Sequence, residues 1–269
     1  MKTKSLNTSA LVTADSPKGQ RATETFRAQY NKAGLNEETA QILNENPGFA
    51  AYLLAGIKRF AMKAPDYEPV RTILGKDFIS PEDVMNSRKG ITYTDEQLAQ
   101  FGETVPVQEI LEWCRDNNIM LVAGPNRPMS FLEIRTMKNG YFCSKVGGWY
   151  AEQKQKFSKD DKVETKWYMI RKDIVPESTF KTWYKQHALI SEIETVPNAP
   201  EFVWAITTYK AVRGIYLFGG IYARTSSLNS EGNRVSVGRF VDRGLIVVND
   251  WDGSRESDLG LSVARKYDV

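Results

Sequence analysis

The stretch GIYARTSSLNSEGNRVSVGRFVDRGLIVVNDWDGSRESDLGLSVARK, residues 220–266, decides the fold class. Its β-prone residues fall into four short blocks, "GIYARTSS", "NRVSVGRFV", "GLIVVNDW" and "LGLSVARK". Between the blocks stand Ser/Asn/Glu/Gly, Asp242-Arg243-Gly244 and Asp252-Gly253. Such residues close turns on their own backbone or tolerate the angles a turn needs. Short apolar blocks separated in this way predict an antiparallel meander.

Working back along the chain, "APEFVWAITTYKAV" predicts a helix with Pro200 and Glu201 at its start and Phe202, Ala205, Ile206 and Tyr209 on one face. "ESTFKTWYKQHAL" predicts a second helix and "KWYMIRKDIV" a strand. "MSFLEIRTM" and "YFCSKV" are β-prone runs either side of Lys138-Asn139-Gly140, and Asn-Gly suits a tight hairpin turn. Before residue 118 the signals are helical. Asn36 caps a segment opened by Glu37 and Glu38, and Asn46-Pro47 starts another with Phe49, Tyr52, Leu53, Ile57 and Phe60 on one face. Ser80-Pro81-Glu82-Asp83 and Thr94-Asp95-Glu96-Gln97 read as caps of short helices. Val107, Ile110, Leu111 and Cys114 make an amphipathic helix that stops at Asn117-Asn118, before the apolar run "IMLVAG".

The expected fold is therefore α+β, a helix-rich N-terminal part with a mainly antiparallel β-sheet C-terminal part and two or more packed helices. Three regions are expected: a partly flexible segment over 1–34, a helical part over 35–120 and a mixed β-sheet part over 121–269. The run "WYMIRKDIVPESTFKTWYKQHALI", with the helix and β blocks after it, resembles a group of uncharacterised bacterial proteins across residues 165–266. That resemblance implies a bacterial protein with a reused C-terminal unit, and it brings no activity, cofactor or site residue.

With 41% hydrophobic and 26% charged residues among 269, the chain has an ordinary globular composition. Cys114 and Cys143 lie in apolar surroundings and read as small core residues, not as a disulfide. The N-terminal stretch lacks the apolar core of a signal peptide, and no run is long enough to span a membrane, so a soluble, cytoplasmic protein is expected.

Candidate chemistry is sparse. Asp250, Asp252, Glu256 and Asp258 crowd around Gly253, but an EF-hand register begun at Asp250 puts Arg255 at the sixth position and Leu261 at the twelfth. A turn between strands is the better reading, and no metal is expected. His187, the single histidine, sits among apolar residues of a helix and reads as packed there. No nucleophile elbow, phosphate-binding loop or His/Cys zinc set occurs, so no catalytic residue and no cofactor is assigned.

One feature is uneven. Residues 145–173 hold eight basic and five acidic residues, a surplus equal to the formal net charge of +3 of the whole chain. Aromatic residues alternate with these lysines, as in grooves where bases stack and lysines neutralise phosphates. The candidate nucleic-acid-binding residues are Lys154, Lys156, Lys159, Lys162, Lys166 and Trp167. A solvated loop whose aromatics face the core fits the same composition. The leading expectation is a non-catalytic binding or interaction protein with a protein partner. Single-strand nucleic-acid binding and an enzyme using dispersed carboxylates or tyrosines stay open.

Overall fold

The computed structural model describes residues 13–53 and 65–266, in two compact units spanning 1–62 and 63–269. In the first unit, α1 (Pro17–Lys32) starts at Ser16, whose side chain accepts from the Gly19 N–H, with Pro17 in the first turn. Half of the segment expected to be partly flexible is thus helical. α2 (Glu37–Glu45) starts where expected, with Asn36 Oδ1 accepting from the Thr39 N–H at 2.8 Å. Neither helix buries a residue. Residues 47–53 are helical as well, while Ile57 and Phe60 of the expected apolar face lie outside the described residues.

The second unit is built on a five-stranded sheet in the order β1-β2-β5-β11-β6, formed by β1 (Phe78–Ile79), β2 (Ile119–Ala123), β5 (Trp167–Arg171), β6 (Glu194–Thr195) and β11 (Ala264–Arg265). All five residues of β2 are buried, as in a strand covered on both faces. β2 pairs with β1 in parallel and with β5 antiparallel, Leu121 opposite Met169. Strands from before and after residue 120 therefore share one sheet, and the partition expected there runs through a central strand. Between β1 and β2 lie α4 (Pro81–Ser87), α5 (Asp95–Glu103) and α6 (Gln108–Asp116), preceded by α3 (Glu68–Leu74). Ser80 with Asp83 and Thr94 with Gln97 form reciprocal capping boxes at the expected positions.

β7 (Tyr222–Leu228), β8 (Arg234–Val241) and β9 (Gly244–Asp250) form the expected antiparallel meander. A Cβ on Gly238 would lie 2.0 Å from the Ile221 carbonyl oxygen, so the approach of β8 to β7 requires glycine there. The fourth block departs from the meander. β10 (Leu259–Leu261) pairs with β7 in parallel, and β11, three residues on, joins the five-stranded sheet against β5 and β6. "LGLSVARK" thus links the two large sheets.

α10 (Ala199–Arg213) runs from the Asn198–Glu201 capping box to Gly214, which is left-handed with φ 73°. Residues 202 to 209 are all buried, so apolar residues surround this helix instead of forming a single stripe. Two expectations fail nearby. "MSFLEIRTM" is not a hairpin arm: Met129–Ser130 is a two-residue strand, β3, pairing with β4 (Lys162–Val163), and Phe131–Met137 is helix α7. Ser130 Oγ accepts from the Glu133 N–H, and the Glu133 carboxylate accepts from the Ser130 N–H, so a capping box outweighs β propensity. Asn139–Tyr141 forms a 3-10 turn in place of the hairpin. Within "ESTFKTWYKQHAL" only α9 (Trp183–His187) is helical, its start fixed by the Thr182 cap.

Candidate functional site

The acidic stretch after β9 is a turn held by arginines. Asp252 pairs with Arg234 at 3.1 Å and Asp258 with Arg239. The buried Arg224 donates to the Trp251 and Ser254 carbonyls at 3.1 and 3.0 Å, and to Gln186 Oε1 at 2.8 Å. Three guanidinium groups thus hold Asp252, Asp258 and two loop carbonyls, while the buried Asp250 Oδ2 has no hydrogen-bond partner among the described residues. Among the described residues no group of three metal-ligating side chains converges. His187 is exposed, with its ring 5.6 Å from that of Trp183. Cys114 is buried, and burial pushes its thiol up to about 12. Cys143 is exposed, not a core residue, because Phe142 faces inward beside Leu245 and the next side chain along points the other way.

The basic-aromatic segment separates into its two components. Trp167 is 2% exposed and donates its Nε1–H to the Phe101 carbonyl at 2.9 Å, inside a cluster with Tyr67, Phe78 and Phe101. Tyr150, Phe157 and Tyr168 are buried too. None of these rings offers a free face to a base. The lysines lie outside: Lys154 between Glu152 and Glu231, Lys159 on the Gln153 carbonyl, Lys162 at 3.7 Å from Glu133, Lys166 over the Tyr168 ring, and Lys156 exposed.

A different cation stands out by its burial. Arg88 caps the C-terminal end of α4 with only 4% of its surface exposed. Its guanidinium lies 4.4 Å from the Trp204 ring centroid. Nε donates to Thr208 Oγ1 at 3.0 Å, and Nη2 donates to Thr207 Oγ1 at 2.5 Å and to the Trp204 carbonyl at 3.4 Å. Nη1 reaches only the Met137 sulfur, at 3.8 Å, a weak acceptor. A guanidinium has five N–H groups, so one on Nη1 has no protein acceptor among the described residues.

α10 prepares this receptor. Thr207 and Thr208 donate their hydroxyl protons back to the Val203 and Trp204 carbonyls, both at 2.6 Å, which turns their lone pairs toward Arg88. Trp204 is fixed in turn by its Nε1–H on the Ala123 carbonyl at 2.9 Å. No carboxylate among the described residues comes within ion-pairing distance of Arg88. Burial lowers its pKa to about 10, against the opposing influence of Tyr141 and Tyr93, so it stays charged at neutral pH.

A cavity of about 210 Å³ opens beside it, with Arg88, Lys89, Met137, Lys138 and Tyr141 among its walls. Lys89 and Lys138 are exposed at this site, and Lys138 Nζ sits 5.6 Å from the Tyr141 ring centroid. The cavity therefore joins three positive charges and no acid. A buried ion loses several kcal/mol of hydration, and hydroxyls, a carbonyl and a ring return only part of it. An anion in the cavity would return more, through charge-assisted hydrogen bonds in a partly dry setting.

Nothing in "NSRKG" marked Arg88 in the sequence. The available signal was its partner, the pair Thr207-Thr208 set within the apolar run of this helix, since buried hydroxyls there need polar company. Comparison with family models, curated proteins and solved structures finds no match to this chain.

Proposed function

We propose that the chain is a non-catalytic, cytoplasmic bacterial binding protein, of the uncharacterised group that residues 165–266 resemble, and that its ligand is a small anion held at Arg88. The observation that carries this reading is a buried guanidinium on a cavity wall, charged, without a carboxylate partner among the described residues, and with an unused N–H. The cavity is smaller than the roughly 300 Å³ at which pockets for drug-sized ligands begin, which suits an anionic group of phosphate or carboxylate size. Single-strand nucleic-acid binding keeps its lysines, but the rings of Tyr150, Phe157, Trp167 and Tyr168 are buried and closed to stacking, so the Arg88 cavity is the better supported site.

The test is thermal unfolding in rising inorganic phosphate at constant ionic strength. Phosphate at about ten times its dissociation constant should stabilise the fold by about 1.4 kcal/mol, raising Tm by about 3–6 °C. Chloride should not, and Lys138→Glu should blunt the rise. An equal rise in chloride and phosphate would point to general screening and remove the reading.

A further inference from the structure

The Arg88 cavity does not stand alone. A second, wide-open cavity, of about 420 Å³, lies beside it with Lys89 and Met137 as shared wall residues. Its other walls include Met129, Leu132, Thr136 and the Arg127–Glu133 pair. The residues common to the two volumes are thus a methionine and a lysine, unbranched side chains with several rotatable bonds. Such side chains change rotamer cheaply and fit themselves to varied shapes.

The electrostatics of the two volumes differ. In the first, Arg88 has no acid and Lys138 lies over a ring. In the second, Arg127 is matched by Glu133 at 2.5 Å, and the same carboxyl group lies 3.7 Å from Lys162. The Glu133 carboxylate also accepts from the Ser130 backbone N–H at 2.8 Å, which holds it in place. Apart from Lys89, which the two volumes share, the charge facing the second cavity is therefore matched as an ion pair, and Leu132 and Met137 give it partly exposed apolar walls. An anion gains in the first volume; an uncharged, apolar group gains in the second.

We infer that the bound anion is the head of a small organic ligand, a monoester phosphate or a carboxylate, whose uncharged body passes Lys89 and Met137 into the second cavity. This deepens the anion-binding reading and rests on it. The head stays with Arg88 and Lys138. The body displaces water from Leu132 and Met137.

Isothermal titration of the full chain with inorganic phosphate, phenyl phosphate and benzoate tests both levels separately. Phenyl phosphate or benzoate should bind about tenfold more tightly than inorganic phosphate, about 1.4 kcal/mol. Thr136→Trp, at an exposed helix position, fills the second cavity and should bring that ratio to about threefold or less. Lys138→Glu should weaken every anion. Whichever organic anion binds more tightly identifies the head group, and either result supports the inference if Thr136→Trp removes the advantage. Equal binding of all three anions, weakened by Lys138→Glu, would overturn the two-cavity ligand and leave the anion site standing. An advantage that survives Thr136→Trp would also overturn it. Binding of none would remove both.

Discussion

Arg88 is surrounded by groups that are already engaged elsewhere. Each threonine hydroxyl that accepts from it also donates to the α10 backbone, and Trp204 is anchored on Ala123. Removing the guanidinium therefore orphans no buried donor. Methionine has a similar length and would lie over the Trp204 ring, so Arg88→Met should cost less than about 1.5 kcal/mol of stability, or even increase it. Arg88→Ala leaves a hole and should cost about 2–5 kcal/mol. Chemical denaturation of the two variants checks this. A loss near 4 kcal/mol for Arg88→Met would make the residue a structural staple instead. The residue escaped the sequence reading for a physical reason: its hydroxyl partner Thr208 lies 120 positions away, and a lone arginine in a short segment usually faces water.

At the scale of elements, local rules were readable where one interaction dominates. The Ser80 and Thr94 caps, the Pro200-Glu201 start of α10 and the three-strand meander all follow from residues within a few positions of each other. α7 was equally readable from Ser130-x-x-Glu133 and was obscured by the β-prone letters around it. The switch of β10 and β11 between sheets was not, because a strand's choice of partner is non-local. The α7 box makes its own prediction. The Ser130 backbone N–H, and after it the Arg127 side chain, hold Glu133 down to about 2 from an ordinary 4.5. The unfolded state therefore takes up a proton first as pH falls. Stability from this group is complete above about pH 4.5 and lost as pH falls toward 2. Glu133→Gln should flatten that part of the acid-unfolding profile, as measured by denaturant melts at pH 6 and pH 3. An unchanged slope would mean that the box does not form in solution.

At the scale of the whole molecule, the α+β class was legible, whereas the organisation was not. A boundary near residue 120 looked natural where helical periodicity gives way to β signals. β2 is an interior strand of a sheet that draws on both sides of that point. All the buried apolar residues described lie at Tyr67 or beyond, and α1 and α2 bury none. A chain beginning at Lys63 should therefore fold cooperatively, with a Tm within about 4 °C of the full chain, which corresponds to about 1–2 kcal/mol at this size. Loss of a cooperative transition would show that the first unit contributes to the core. No helix among the described residues is long and apolar enough to cross a membrane. The most direct test of an anion site at Arg88 is a crystal structure of the intact chain with tungstate, an anomalous scatterer of tetrahedral shape. The expected result is a peak in the cavity between Arg88 Nη1 and Lys138, absent in Arg88→Met. A vacant cavity at saturating tungstate, or a peak of equal height in Arg88→Met, would contradict an anion site at Arg88.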